Sequence, residues 1–263
     1  MLKIVLIRFS LFLSVLFVLT ACNQEPGPDT PSEFNTLRDG RIGITIPANS
    51  WGYGIANKLT IVVDSLEQYQ RTSGTACFYD TLVSRGNVKN VGNVSLNAKS
   101  MAIYPNNCYN INTGEGLEQV IDLSSGSIWS IVGGGGMIVP DTITGGTFPS
   151  SPVVRNQPVI DLDTNFTVLN FPVTGAYEVV YSIGNSSGKF VYKVKTGTST
   201  SCTFTKEELS ELGTTSQGII QVNAYNIKQV NAVYIHSTQP FFRNKPYHFI
   251  NNTVYVLQNV LMN

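Results

Sequence analysis

The chain has 263 residues, enough for one large or two ordinary domains. Only 13% are charged, about half the common share, and 17 basic groups balance 17 acidic ones, which excludes a basic nucleic-acid footprint and an acidic solvating tail. With 42% hydrophobic residues the chain can bury a core and does not read as disordered.

The N-terminus carries an address. Lys3 and Arg8 make a short positive region, and no acidic residue precedes Glu25. Phe9 to Leu19 is apolar except for Ser10 and Ser14, shorter than the roughly 18 residues a permanent span needs. Leu19-Thr20-Ala21-Cys22 follows, and this order and position resemble the lipobox of bacterial lipoproteins. The resemblance implies that Leu19, Thr20 and Ala21 are recognition residues. Residues 1–21 would be removed as a signal peptide, and Cys22 would take a diacylglycerol and become the new N-terminus. The partner implied is the membrane, reached through lipid on Cys22. Asn23 stands where, in enteric-type sorting, aspartate favours inner-membrane retention. The expected location is therefore the outer membrane, facing the periplasm or the outside. Cleavage takes away Lys3 and Arg8 and leaves 15 basic against 17 acidic groups.

Residues 22–35 contain Pro26, Gly27, Pro28 and Pro31 and read as a flexible spacer. Strand patterns then dominate: Arg41 to Ile46, Lys58 to Val63, Val94 to Tyr104, Glu118 to Leu123 and Ser127 to Val132. Gly133 to Pro158, with four consecutive glycines and several prolines, reads as a long connection holding a domain boundary. The expected division is an N-terminal β domain over residues 36–150 and a C-terminal one over residues 151–263.

The second half is more regular. Tyr177 to Ile183, a loop Gly184-Asn185-Ser186-Ser187-Gly188, and Lys189 to Lys195 predict a hairpin. Its return strand is expected to send Phe190, Tyr192 and Val194 to the core and Lys189, Lys193 and Lys195 to water. Thr205-Lys206-Glu207-Glu208 is a capping box ahead of Leu209 and Leu212, with Gly213 as terminator, so one short helix is predicted. Gly218 to Tyr225, Lys228 to His236, Tyr247 to Ile250 and Thr253 to Val260 complete the strands. The fold class is all-β: two β-sandwich-like domains, the second immunoglobulin-like with one short helix. Trp129 to Pro140, Cys202 to Leu212 and Lys245 to Ile250 together resemble uncharacterised Gram-negative β-sandwich surface lipoproteins, a likeness that implies no activity.

Chemistry is sparse. Gly184-x-Ser186-x-Gly188 matches a nucleophile elbow in letters, but a strand follows where a helix is needed. The glycines at 133–136 lack the Gly-Lys-Ser/Thr ending of a phosphate loop. His236 and His248 show no zinc spacing. Asp161-Leu162-Asp163 begins like a calcium loop, yet Phe166 and Pro172 stand where glycine and glutamate belong. Glu207 with Glu208 fits capping, and Glu115 with Glu118 has no apolar frame. No catalytic, metal or cofactor site is assigned. Of the cysteines left after Cys22, Cys77 and Cys108 are the expected disulfide in an oxidising compartment, with Cys202 a buried thiol. Asp64-Ser65-Leu66, Asp80-Thr81-Leu82 and Asp141-Thr142-Ile143 resemble the O-glycosylation acceptor of some Gram-negative envelopes. Trp51 and Tyr53, in a Gly-rich stretch, are the candidate glycan contacts, and Tyr104 and Tyr109 are further loop aromatics. Trp129 reads as core. The expected role is non-enzymatic binding or scaffolding in the envelope, with a protein partner first. Carbohydrate binding by loop aromatics is the alternative, and an enzyme with an unrecognised site the second. No nucleic acid is expected.

Overall fold

The computed structural model describes residues 36–38, 45–47, 49–62, 68–82, 87–112, 121–133, 141–155, 159–185, 187–243 and 247–250. Alternation of buried and exposed side chains is plain in Thr142–Thr144 and Ser201–Phe204, whereas Glu178–Gly184 is buried on both faces. In chain order the first strands are β1 (Thr36–Arg38), β2 (Thr45–Pro47), β3 (Gly52–Val62), β4 (Gln68–Phe78), β5 (Gly92–Leu96) and β6 (Lys99–Ser100). Next come β7 (Ala102–Ile103), β8 (Tyr109–Asn112), β9 (Ile128–Gly133), β10 (Thr142–Thr144), β11 (Val159–Asp161) and β12 (Phe166–Leu169). The last are β13 (Glu178–Gly184), β14 (Phe190–Thr196), β15 (Ser201–Phe204), helix α1 (Lys206–Ser210), β16 (Thr215–Val230), β17 (Val233–Arg243) and β18 (Tyr247–Ile250).

One long sheet takes strands from both halves of the chain, in the order β14-β13-β16-β17-β3-β4-β8-β7. β17 pairs with β3 in parallel, from Val233 opposite Gly52 to Arg243 opposite Val62. β18 pairs antiparallel with the start of β16 and carries β11 as a parallel neighbour. On one face of this sheet lie two apolar cores. Over β3, β4, β8 and the start of β17 sits a small sheet, β10-β9-β5-β6, which contributes Val94, Leu96, Trp129, Ile131 and Ile143. Over β13, β16 and the end of β17 sit the β12–β15 ladder and α1, with Val168, Cys202, Phe204, Leu209 and Leu212.

The small sheet ends with Thr144 and the β12–β15 ladder begins at Phe166, and the long sheet runs beneath both. A polar strip separates the cores. Ser237 donates to the Gly146 carbonyl at 2.8 Å and Asn226 to that of Thr147, so the connection between the covers is tied to the sheet. An immunoglobulin-like sandwich of antiparallel strands differs from this arrangement. β17 pairs antiparallel with β16 on one side but in parallel with β3 on the other, and β11 is parallel to β18.

Three further differences have local causes. Lys228 to His236 is not one strand: Asn231 and Ala232, both at positive φ, turn β16 back into β17. The hairpin β13–β14 forms in the expected place, but its faces are not divided as predicted. Tyr181 pairs with Lys193 and Ile183 with Val191, so the lysine-bearing face overlies the C-terminal core, while Tyr192 is exposed. Because β14 has no outer neighbour among the described residues, the Lys193 ammonium can sit over the Phe204 ring, 5.4 Å from its centroid, while meeting Glu208 at 2.8 Å. β4, unpredicted, is a central strand despite its polar sequence. Residues 22–35, 118–120 and 253–260 of the expected spacer and strands lie outside the described residues, as does most of Arg41 to Ile46.

Candidate functional site

The clearest outward surface is that of the small sheet. Ile143 on β10, Trp129 and Ile131 on β9, and Val94 and Leu96 on β5 point inward and are buried. Alternation therefore turns their neighbours to solvent. Thr142 opposes Ser130, Ser130 opposes Ser95, and Ser95 opposes Ser100, so one hydroxyl row crosses all four strands. Ile128, opposite Thr144, and Val132, opposite Asn93, flank that row and are 50% and 59% exposed. These rows carry no charged residue: hydroxyl and amide groups for hydrogen bonds, two aliphatic side chains for burial.

A second group lies on the opposite face of the long sheet. Tyr225 donates its hydroxyl to the Glu178 carboxylate, and its ring lies 5.8 Å from that of buried His236 and 6.4 Å from exposed Tyr177. Among the described residues no three His, Cys, Asp or Glu side chains come together as a metal site would require.

The sequence candidates are dispersed over the molecule. Cys77 and Cys108 form a disulfide on the far face of the long sheet, beside Tyr53. Cys202 is a buried free thiol in the C-terminal core, its pKa raised by burial. Of the glycan platform expected at Trp51 and Tyr53, the Tyr53 half requires correction. Tyr53 is only 1% exposed because its Gly-rich stretch begins a central strand rather than a loop, and Trp51 is partly buried against the N-terminal core. The Tyr53 ring therefore offers no open face for a sugar to stack on. Tyr109 is buried too. Its hydroxyl donates toward Asn90 and the Gly92 carbonyl and accepts from the Val91 amide, which fixes that loop. Burial raises its pKa against the opposing pull of that amide.

The acidic candidates serve the backbone. Asp161 accepts from the Asp163 amide within a turn. Glu207 and Glu208 occupy the first turn of α1, where Glu208 accepts from the Thr205 amide and Thr205 from the Glu208 amide. Asn185 holds the β13–β14 loop, accepting from Ser187 and Lys189 and donating to the Leu212 carbonyl. Asp80, Thr81, Leu82, Asp141 and Thr142 are exposed. Cys22, residues 64–66, Glu115, Glu118, glycines 134–136 and Ser186 lie outside the described residues, and of His248 only the backbone position in β18 is described. The hydroxyl row went unnoticed in the sequence because serines and threonines line up only once the register is known.

No known protein family and no curated protein matches the sequence. Among solved structures, one similar chain is a tetra-tandem repeat in the extending region of a large adhesion protein, at 13% identity and a TM-score of 0.22. The alignment covers 73% of this chain and 49% of that one. Another is from a 1.5-MDa bacterial ice-binding adhesin, studied for host cell surface retention, at 14% identity and a TM-score of 0.22, with 76% and 64% of the two chains covered. The chain thus spans about half of the first and less than two thirds of the second. Superpositions this loose contribute nothing to the functional reading below.

Proposed function

We propose that this is a lipid-anchored envelope protein with a non-enzymatic role, holding a protein partner against the outward face of β10-β9-β5-β6. The observation that carries the reading is the face itself: a hydroxyl row flanked on both sides by the exposed aliphatic side chains of Ile128 and Val132. The lipobox at Leu19 to Cys22 supports anchoring, and the Cys77–Cys108 disulfide fits an oxidising compartment. The face has the polar and aliphatic mixture of a non-obligate interface.

The test has two arms. A palmitate analogue should label the full chain and not Cys22→Ser; labelling that persists removes the anchor. A photo-crosslinker at Ser130 in intact envelopes should give a discrete protein adduct that Val132→Lys abolishes by placing a charge in the contact. No adduct, together with retention on a polysaccharide panel, would transfer the reading to a glycan ligand.

A further inference from the structure

β3 and β17, each 11 residues long, are parallel neighbours inside the long sheet. The chain enters the pair at Gly52, coming from the N-terminal side, and leaves it at Arg243, going to the C-terminal side. These points lie at opposite ends of the ladder. Neither strand is an edge, since β4 flanks β3 and β16 flanks β17, both antiparallel.

We propose that this pair is a tension clamp. A pull applied through the segment before β3 and the segment after β17 slides the two strands along their length. All the hydrogen bonds between them are then strained together, and none can open alone. The same pull applied at one end of the pair would separate the bonds one after another. A single interstrand bond contributes only about 1 kcal/mol net, so resistance depends on how many must fail at once.

The side chains reinforce the weakest place in the ladder. Pro240 has no N–H to donate, and the pairing skips from Thr238–Asn57 to Phe241–Thr60. Across this gap the Gln239 amide donates to the Lys58 carbonyl at 2.6 Å and to the Thr60 hydroxyl at 3.1 Å. On the other face Thr238 donates to the Ala56 carbonyl and to the Asn57 side chain. Thr238, Gln239 and Thr60 are buried, so water is not at hand to replace a strained bond. The source of tension rests on the proposed function, with lipid at one end and a held partner at the other. The mechanical property does not, and it is measurable with neither present.

Single-molecule force spectroscopy on residues 22–263 with Cys22→Ser tests the clamp. One set of handles joins the two termini. The other joins the C-terminus to Ser65→Cys in the β3–β4 connection, which loads the pair from one end. At equal loading rates the terminal handles should give an unfolding force about twofold higher or more, because forced unfolding follows the barrier along the pulled direction. Gln239→Ala should lower the terminal-handle force and leave the other nearly unchanged, with Thr238→Val as a second variant. Equal forces in the two geometries overturn the clamp. A high terminal-handle force that neither variant lowers overturns the reinforcement at Pro240. Neither result bears on Cys22, whose labelling stands as a separate measurement.

Discussion

On the N-terminal side of the long sheet the cover is a four-stranded sheet, and a disulfide closes the far face behind it. On the C-terminal side a two-stranded ladder and a five-residue helix do the covering, and the cysteine buried there is unbonded. The second side substitutes polar lacing for the covalent bond. Lys193 reaches from β14 to Glu208 of the helix and to the Thr203 carbonyl, and Asn185 reaches to the carbonyl of Leu212. Both sides share one device. Tyr109 pins the loop at Asn90 to Gly92, and Tyr181 pins two loops through Asn170 and the Ser199 carbonyl. Irregular chain lies over each core, and a buried hydroxyl supplies the bond that water would otherwise make. Cover layers of very different regularity can serve one continuous sheet, provided their loops are fixed from inside.

Removing the disulfide should cost the molecule most. Cys77→Ala with Cys108→Ala opens a loop with a sequence separation of 31 and should cost about 3–4 kcal/mol in urea unfolding. Hydrogen exchange then decides how separate the two sides are. Protection lost mainly in β4, β8 and the small sheet sharpens the contrast. Equal loss in β13 and β14 would break it and make the molecule one cooperative unit.

The shared device is tested next. Tyr109→Phe and Tyr181→Phe should each destabilise by about 1–3 kcal/mol, because buried acceptors lose their donor while the packing volume is kept. Burial pushes the Tyr181 hydroxyl far above the ordinary tyrosine pKa, so it stays a donor at any pH at which the fold is studied. A marked difference between the two variants would show that the hydroxyls are not equivalent.

The smallest effect is the acid sensitivity of the C-terminal side. The Lys193 hydrogen bond lowers the Glu208 pKa, with help from the Thr205 amide. The unfolded chain therefore binds this proton more readily. The contribution is present above the ordinary carboxylate value of about 4.3 and is lost as pH falls through the lower folded value. Partial exposure screens the pair, so the step is slight. Glu208→Gln should flatten it in a comparison of melting between pH 5 and about 3. An unchanged profile would mean that other carboxylates set the acid response.

Several elements were legible in the sequence. The β13–β14 hairpin shows itself in alternation around a Gly-bounded loop, and the capping box at Thr205 is written in four residues. The inward position of Trp129 follows from the strand around it. β4 is not legible, because Thr72, Gly74 and Thr75 occupy buried positions that a hydrophobic pattern assigns to the surface. Gly74 is there because Leu96 of the small sheet descends onto it; a Cβ would sit 2.5 Å from that side chain. The turn at Asn231 and Ala232 lacks the glycine that commonly marks positive φ. The glycines around Tyr53 suggest a loop by composition, but they permit close packing within a central strand. The hydroxyl row and the pairing of β17 with β3 depend on register across distant segments, which no local pattern encodes.

That pairing also sets a schedule. The side-chain bond from Thr238 to Asn57 joins positions 181 residues apart. As the chain emerges, β3 can zip to β4 almost at once, but its other edge stays open until nearly everything up to Arg243 has arrived. Contacts at such distance close slowly, and an open central strand invites wrong neighbours in the meantime. A polypeptide that completes its middle last is well suited to crossing a membrane before it has folded. It is poorly suited to lingering half-made on the far side.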